Sequence, residues 1–152
     1  MKVCIPTDEV DANPYKALEL ITSLGLSHIE LRGIFGDRLP DGDPTEVRKL
    51  IEALRSTSFD VAALSPGVFK VPYTDAEATR RHLDRRLPDS LRLARELDTS
   101  TIIVFGLVGD PAQPWDRQRL VRLLRSAAQK AEGSGCVLAL ENEPICLVDT
   151  AV

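Results

Sequence analysis

The sequence predicts a parallel α/β fold in which about five strands alternate with four helices. Short apolar runs recur along the 152 residues, and four of them are followed by a segment whose apolar residues repeat at helical spacing. These runs are almost continuously apolar, which is typical of strands buried on both faces. Helices between successive strands favour parallel pairing with right-handed crossovers.

The predicted strands are short runs bounded by turn-forming residues. The third is expected to end at Ser65-Pro66-Gly67, because proline and glycine interrupt regular pairing. The fourth is rich in β-branched residues, which favour extended backbone. In chain order the five strands are Val3–Pro6, His28–Leu31, Val61–Leu64, Thr101–Phe105 and Cys136–Glu141.

Capping residues mark where the four helices begin. A side-chain oxygen before a helix accepts a hydrogen bond from a free backbone N–H, and proline fits the first helical position. The long third helix is predicted from the capping signature Thr74-x-x-Glu77, and Pro88 within it is expected to kink or split it. The capping residues expected for the other helices are Asn13, Asp43 and Asp116.

Composition and charge limit the classes of protein to consider. With 43% hydrophobic and 28% charged residues, the chain is expected to form one globular domain. The net charge of −4 gives no basic surface for nucleic acid, and the apolar runs are too short to span a membrane. No signal peptide opens the sequence, so we expect a cytoplasmic protein without a nucleic-acid or membrane partner.

Two architectures fit alternating strands and helices, a doubly wound sheet and a barrel. A dinucleotide-binding doubly wound sheet would show Gly-x-Gly-x-x-Gly after its first strand, whereas this chain has Pro6-Thr7-Asp8-Glu9. The barrel is therefore favoured. We expect residues 1–152 to be a single incomplete domain, the N-terminal part of a (β/α)8 barrel without its C-terminal strands.

Polar residues at the strand ends are the candidate site, because the carboxyl ends of barrel strands line one mouth. Glu30 and Glu141 directly continue apolar strands, so an inward carboxylate there needs a cation or hydrogen-bond donors. Arg32 is a candidate partner for Glu30. The candidate site residues are Glu30, Arg32, Lys70, Glu141 and Glu143.

Other polar residues near the strands are expected to have structural roles. Asp8 and Glu9 are expected to cap the next helix or to pair with a basic side chain. His28 opens the second strand at the end opposite the mouth, and His82 lies within a charged helix. We expect neither histidine to be a metal ligand.

Four segments in order resemble the sugar phosphate isomerase/epimerase family, the xylose-isomerase-like barrels. Val137–Pro144 resembles the fifth-strand motif of that family, Gly25–Gly33 its second strand and Ser65–Val71 its third. The helix at Leu91–Leu97 is similar to the helix before its fourth strand. Ile103 departs from the pattern, since relatives often carry an arginine there.

The resemblance implies a metal-dependent proton transfer on a keto sugar, a sugar phosphate or a related polyol. A divalent metal, Mn, Mg, Co or Zn, would be held by Glu141 and by Asp, His and Glu ligands of later strands. Glu141 would also be the catalytic base. Glu30, Arg32, Lys70 and Glu143 would bind the substrate, although Glu143 has the alternative of pairing with Lys70.

Three other functions are compatible with the same fold. A sugar-acid or cyclitol dehydratase would use a similar barrel. A DNA-repair nuclease is disfavoured by the acidic net charge. The arginines at positions 80, 81, 85 and 86 are not a basic patch, because acidic residues interleave with them, namely Asp75, Glu77, Asp84 and Asp89. In the third hypothesis, the 152-residue chain is inactive alone and binds metal weakly or not at all. It then forms a half-barrel that self-associates through open strand edges.

Overall fold

A parallel five-stranded sheet forms the centre of the fold. The strands are Ile5–Pro6 (β1), His28–Leu31 (β2), Gly33–Ile34 (β3), Asp37–Arg38 (β4), Asp60–Val68 (β5), Thr101–Phe105 (β6) and Val137–Glu141 (β7). The computed structural model describes residues 3–150 and has the sheet order β1-β2-β5-β6-β7, with every neighbouring pair parallel. β3 and β4 form a separate antiparallel hairpin. The predicted parallel α/β class is confirmed.

Helices follow the strands and bury their apolar faces against the sheet. Within residues 3–150 they are Thr7–Val10 (α1), Pro14–Ser23 (α2), Pro44–Arg55 (α3), Ala76–Arg81 (α4), Leu87–Glu96 (α5) and Arg117–Ala131 (α6). A π-helical segment, His82–Arg86, joins α4 to α5. No helix in that range is long and apolar enough to cross a membrane.

Alternation along the strands separates the hydrophobic core from the opposite face of the sheet. Ile29 and Leu31 of β2 and Ile102 and Val104 of β6 are buried in the core cluster with the helices. The intervening residues face the other way, because successive strand side chains point to opposite faces. Glu30 of β2 therefore lies on the face that forms the cleft described below.

Three predicted helix starts are confirmed by their hydrogen bonds. The Asn13 side chain accepts from the backbone N–H of Tyr15 at 3.0 Å, and Asp43 accepts from Thr45 at 2.8 Å. Asp116 caps α6 in the same way, at 2.8 Å from the N–H of Gln118. The remaining start is one residue from its predicted position. Helix α4 is capped by Asp75, whose carboxylate accepts from the Ala78 N–H, rather than by Thr74.

The end predicted for the third strand at Ser65-Pro66-Gly67 is wrong. Strand β5 continues to Val68 through a bulge, in which Leu64 pairs with Ile102 and Val68 with Val104. Between these two pairs, three residues of β5 oppose one residue of β6. Gly67 adopts a φ of +68°, which a glycine accepts without steric strain, so the strand bends and keeps its pairing.

The segment between β2 and α3 contains structure of its own. β3 and β4 lie in it, and the one-turn helix α1 follows β1 where turn residues were expected. All three elements are too short to leave a periodic pattern in the sequence. The first strand is also shorter than predicted, since it spans Ile5–Pro6 and leaves Val3 58% exposed.

Pro88 does not break the long helix, but it follows a change in helical geometry. The π-helical segment ends just before it, where the backbone N–H of Leu87 donates to the carbonyl of His82. The Ser90 hydroxyl donates to the Arg86 carbonyl at 2.7 Å. The predicted distortion at Pro88 is therefore a local widening of the helix.

Candidate functional site

A polar cleft of about 520 Å³ opens at the carboxyl ends of the parallel strands. Its floor is made by inward side chains of β6 and β7, where Ile103 lies opposite Ala139 and Phe105 opposite Glu141. All five predicted site residues line it. The polar side chains of the cleft are Glu9, Glu30, Arg32, Arg38, Ser65, Lys70, Glu141 and Glu143.

Glu30 is a partly buried carboxylate of this cleft. It pairs in register with Pro6 on one side and with Ala63 on the other, which directs its side chain inward. Burial raises the pKa of Glu30, the guanidinium of Arg32 opposes that shift, and the negative charge of Glu141 adds to it. The carboxyl of Glu30 therefore holds a proton more readily than an ordinary glutamate.

Arg32 is committed to the carboxylates that follow β1. Its Nε donates to Asp8 Oδ1 at 2.9 Å, and its Nη1 lies 2.7 Å from Glu9 Oε1. The expectation that Asp8 and Glu9 pair with a basic side chain is confirmed. The candidate ion pair between Arg32 and Glu30 does not form, so Arg32 acts on Glu30 only through its longer-range charge.

Lys70 joins two sides of the cleft. Its Nζ donates to Glu143 Oε1 at 2.8 Å, which confirms the pairing considered from the sequence. The same ammonium lies 4.8 Å from the centre of the Phe105 ring, a distance at which a cation is attracted to an aromatic face. Lys70 is thus held between the end of β5, the floor and the segment after β7.

Arg38 is a cleft residue that the sequence analysis missed. It ends the β3–β4 hairpin, and its Nη2 lies 3.4 Å from the hydroxyl of Ser65, a residue only 1% exposed. Its Nε is buried without a hydrogen-bond partner in residues 3–150. The available signal was weak, because Arg38 is one basic residue in a loop of glycine and aspartate.

Glu141 ends β7 at the rim of the cleft and is exposed to solvent. Within the described part of the chain, no three His, Cys, Asp or Glu side chains come together as a metal site. Glu141 and Glu30 interact through their charges across the cleft. These residues alone therefore do not fit a bound metal, and a site at Glu141 requires ligands from other residues.

Both histidines have partners outside the cleft. His28 Nε2 lies 3.2 Å from Asp60 Oδ2, at the opposite end of β2 from Glu30. His82 Nδ1 accepts a hydrogen bond from the backbone N–H of Phe69 at 2.9 Å. Burial lowers the pKa of His82 to about 4, so this ring is neutral at pH 7 and keeps its acceptor.

The cleft combines acceptors and cations in an arrangement suited to a polar small molecule. Glu30 and Glu141 supply carboxylates, whereas Arg38 and Lys70 supply positive charge. Carboxylates beside bound hydroxyl groups can accept their hydrogen bonds or remove a proton, and cations stabilise negative charge that develops on oxygen. These groups are able to bind a hydroxylated molecule that carries a carbonyl or an anionic group.

Comparisons with solved structures support the barrel architecture. The zinc-bound IolI protein superposes with a TM-score of 0.74 and 22% identity, over 98% of this chain and 55% of that chain. The probable 3-DHS dehydratase AsbF of Bacillus anthracis gives 0.74 and 19%, with the same coverage of both chains. L-ribulose 3-epimerase gives 0.68 and 18%, over 93% and 50%. The chain spans about half the length of these structures.

The family relationship rests on the sequence match. No curated protein matches the chain at a significant level. The family described as xylose isomerase-like TIM barrel matches residues 18–150, a range that contains all four segments whose resemblance was noted from the sequence. That match covers most of the 152 residues. The chain therefore belongs to the xylose isomerase-like TIM barrel family.

Proposed function

We propose that this chain contributes half of the active site of a sugar isomerase or epimerase, which moves a proton on a keto sugar, a sugar phosphate or a related polyol. One observation carries the proposal. Glu141 ends strand β7 at the rim of the cleft. The same cleft contains a second carboxylate, Glu30, and the cation Lys70, which is paired with Glu143. Isomerisation requires such a base beside groups that hold hydroxyls.

In this proposal Glu141 is the general base. Removal of a proton next to a carbonyl places negative charge on the carbonyl oxygen, and positive groups positioned in advance stabilise that charge. Glu30, Arg32, Lys70 and Glu143 bind and orient the sugar. Glu30 is suited to contact a hydroxyl in either protonation state, since a carboxyl group accepts when ionised and also donates when protonated.

The proposed metal dependence belongs to a more complete barrel. Glu141 is the residue of this chain that we propose as a ligand for Mn, Mg, Co or Zn. Since residues 3–150 do not bring three suitable side chains together, we expect this chain alone to bind such an ion weakly or not at all and to be inactive. The steps described above use only the side chains of this chain.

Proton NMR in deuterium oxide tests the reaction class. A protein that carries this chain together with the other barrel strands is incubated with keto sugars, keto sugar phosphates and sugar acids. An isomerase or epimerase forms an isomer with deuterium at the carbon that lost its proton. Loss of water from a sugar acid or a cyclitol would instead identify a dehydratase, and neither change with any substrate would contradict the proposal.

A second candidate role is self-association of the half-barrel. Apolar side chains are exposed on β7 and just after it, with Val137 66%, Leu140 43% and Ile145 51% exposed. A strand edge with unpaired backbone groups beside such side chains is a surface for pairing. Light scattering after size-exclusion chromatography tests this role. Self-association predicts a dimer that Leu140→Lys dissociates, whereas a monomer at all concentrations would exclude it.

A further inference from the structure

We propose that Arg38 forms an anion-binding subsite in the cleft and thereby selects a substrate with a carboxylate or phosphate group. The statement that the bound anion belongs to a substrate rests on the proposed function. Binding of an anion at Arg38 can be measured without any turnover. The proposal is based on three residues that lie close together, namely Arg38 at the end of β4, Ser65 on β5 and Gly67 in the β5 bulge.

The cations of the cleft differ in what they already bind. Arg32 contacts Asp8 and Glu9, and Lys70 contacts Glu143, all at hydrogen-bonding distance. Arg38 has no carboxylate within 4.0 Å among residues 3–150, and its contact is the neutral Ser65 hydroxyl. An arginine side chain remains charged at neutral pH and carries five N–H donors. Arg38 is therefore the cleft cation whose N–H donors are not paired with a carboxylate of residues 3–150.

The Nε of Arg38 is the donor most in need of a partner. It is buried and makes no hydrogen bond within the described part of the chain. A buried N–H without an acceptor is unfavourable, and Arg38 lines the cleft. Turning the guanidinium toward an oxyanion in the cleft would therefore give this N–H a charge-assisted bond. Nε together with one terminal nitrogen forms a planar fork that matches two oxygens of a carboxylate or phosphate.

Arg86 holds the segment that carries Arg38. Its Nε donates to the Pro66 carbonyl at 2.7 Å, its Nη2 to the Leu39 carbonyl at 3.1 Å, and its Nη1 to the carboxylate of Asp41. These bonds tie the end of the β3–β4 hairpin to the bulge of β5. The guanidinium of Arg38 is therefore presented to the cleft on an anchored turn.

The cleft provides room for an anion beside Arg38, and charges of both signs act on this side chain. Gly67 lies directly beside the guanidinium, since a Cβ at that position would be 3.4 Å from Arg38 Nε. Burial and the charges of Arg32 and Arg86 lower the pKa of Arg38, while Asp8 and Glu30 act in the opposite direction. Two further guanidinium groups thus contribute to the field at Arg38, and an added negative charge reduces their mutual repulsion.

Nuclear magnetic resonance titration of the 152-residue chain tests the subsite. The probes are inorganic phosphate and glycolate, a phosphate and a carboxylate source, added at constant ionic strength with chloride as the exchanged ion. We expect one or both anions to shift the Nε–H resonance of Arg38 and the backbone amide resonances of Ser65 and Gly67 in a saturable manner. The backbone amide shifts also report binding in variants that lack this Nε–H. The anion that saturates at the lower concentration identifies the preferred charged group.

Three variants separate a specific subsite from general charge. Arg38→Gln is expected to weaken binding about tenfold or more, and Arg38→Lys, which keeps the charge but not the fork, to weaken it less. Arg125→Gln removes the same charge from an exposed position on α6 and should change nothing. If Arg38→Gln loses its folded spectrum, Arg38→Lys decides.

The proposal is overturned if neither anion gives a saturable shift, or if both Arg38 variants bind like the unchanged chain. Loss of anion binding in the Arg38 variants would thus support the subsite even if the proposed isomerisation failed its own test. Conversely, isomerisation of uncharged sugars alone, without anion binding, would support the function and refute the subsite.

Discussion

Lys70 Nζ donates a hydrogen bond to Glu143 Oε1 across 2.8 Å and so joins the end of β5 to the segment that follows β7. The two residues are 73 positions apart in the sequence. Both side chains are about one-third to one-quarter exposed, at 32% and 26%. The pair therefore closes one side of the cleft without being removed from water.

A double-mutant cycle with Lys70→Met and Glu143→Gln measures this pair. A partly exposed ion pair is expected to contribute about 0.5–1 kcal/mol to the free energy of unfolding. Urea unfolding of the single and double variants gives the coupling, and Lys16→Met at an exposed position of α2 is the control. A coupling near zero would show that the contact does not stabilise the cleft.

Glu30→Gln is expected to stabilise the chain at neutral pH. Burial raises the pKa of Glu30, so the folded state binds its proton more tightly than the unfolded state does. Stability from this group is therefore lost as pH rises through the raised pKa. Glutamine cannot ionise, so the urea midpoint of Glu30→Gln should exceed that of the unchanged chain. The difference should be largest at pH 7 and should shrink as pH falls toward 4.5. An unchanged midpoint at both pH values would contradict this explanation.

Arg86→Met is expected to destabilise the fold by about 2–4 kcal/mol, because the Pro66 and Leu39 carbonyls lose their donor. The Arg86 side chain is only 15% exposed. Arg85→Met changes the neighbouring, exposed arginine of the same π-helical segment and is the matched control. Equal unfolding midpoints for the two variants would show that Arg86 does not anchor the hairpin.

His82 should make the stability depend on pH below neutrality. Its pKa is lowered from 6.5 to about 4, so the unfolded state takes up a proton first as the solution is acidified. Stability from this group is complete above pH 6.5 and is lost as pH falls toward 4. His82→Asn keeps an acceptor for the Phe69 N–H and should remove this decline, whereas His28→Asn should retain it. An identical decline in His82→Asn would refute the assignment.

The sequence was informative where local chemistry determines local structure. Asn13 and Asp43 were predicted as helix caps because their short side chains and the prolines after them act within two or three residues. The parallel sheet followed from the same logic, since apolar strands alternating with amphipathic helices have few other arrangements. The five predicted site residues line one cleft because parallel strands end at one edge.

The remaining features depend on contacts between distant residues. Arg38 reaches Ser65 because the short β3–β4 hairpin turns the chain back toward β5. The residues around Arg38 do not specify that direction. The partner of Arg32 could not be decided either. Glu30, two residues earlier in the chain, was as plausible as Asp8, which the register of β1 and β2 brings within 2.9 Å.

Solvent deuterium incorporation is the most direct test of the central claim, that Glu141 is the base of a sugar isomerase or epimerase. The measurement uses a protein that carries this chain with the remaining barrel strands, and compares it with its Glu141→Gln variant. Glu132→Gln, at an exposed position after α6, is the control, and metal content is determined for each protein. We predict that Glu141→Gln reduces incorporation into a keto sugar by about 100-fold or more, while Glu132→Gln does not. Undiminished incorporation by Glu141→Gln with normal metal content would contradict the account.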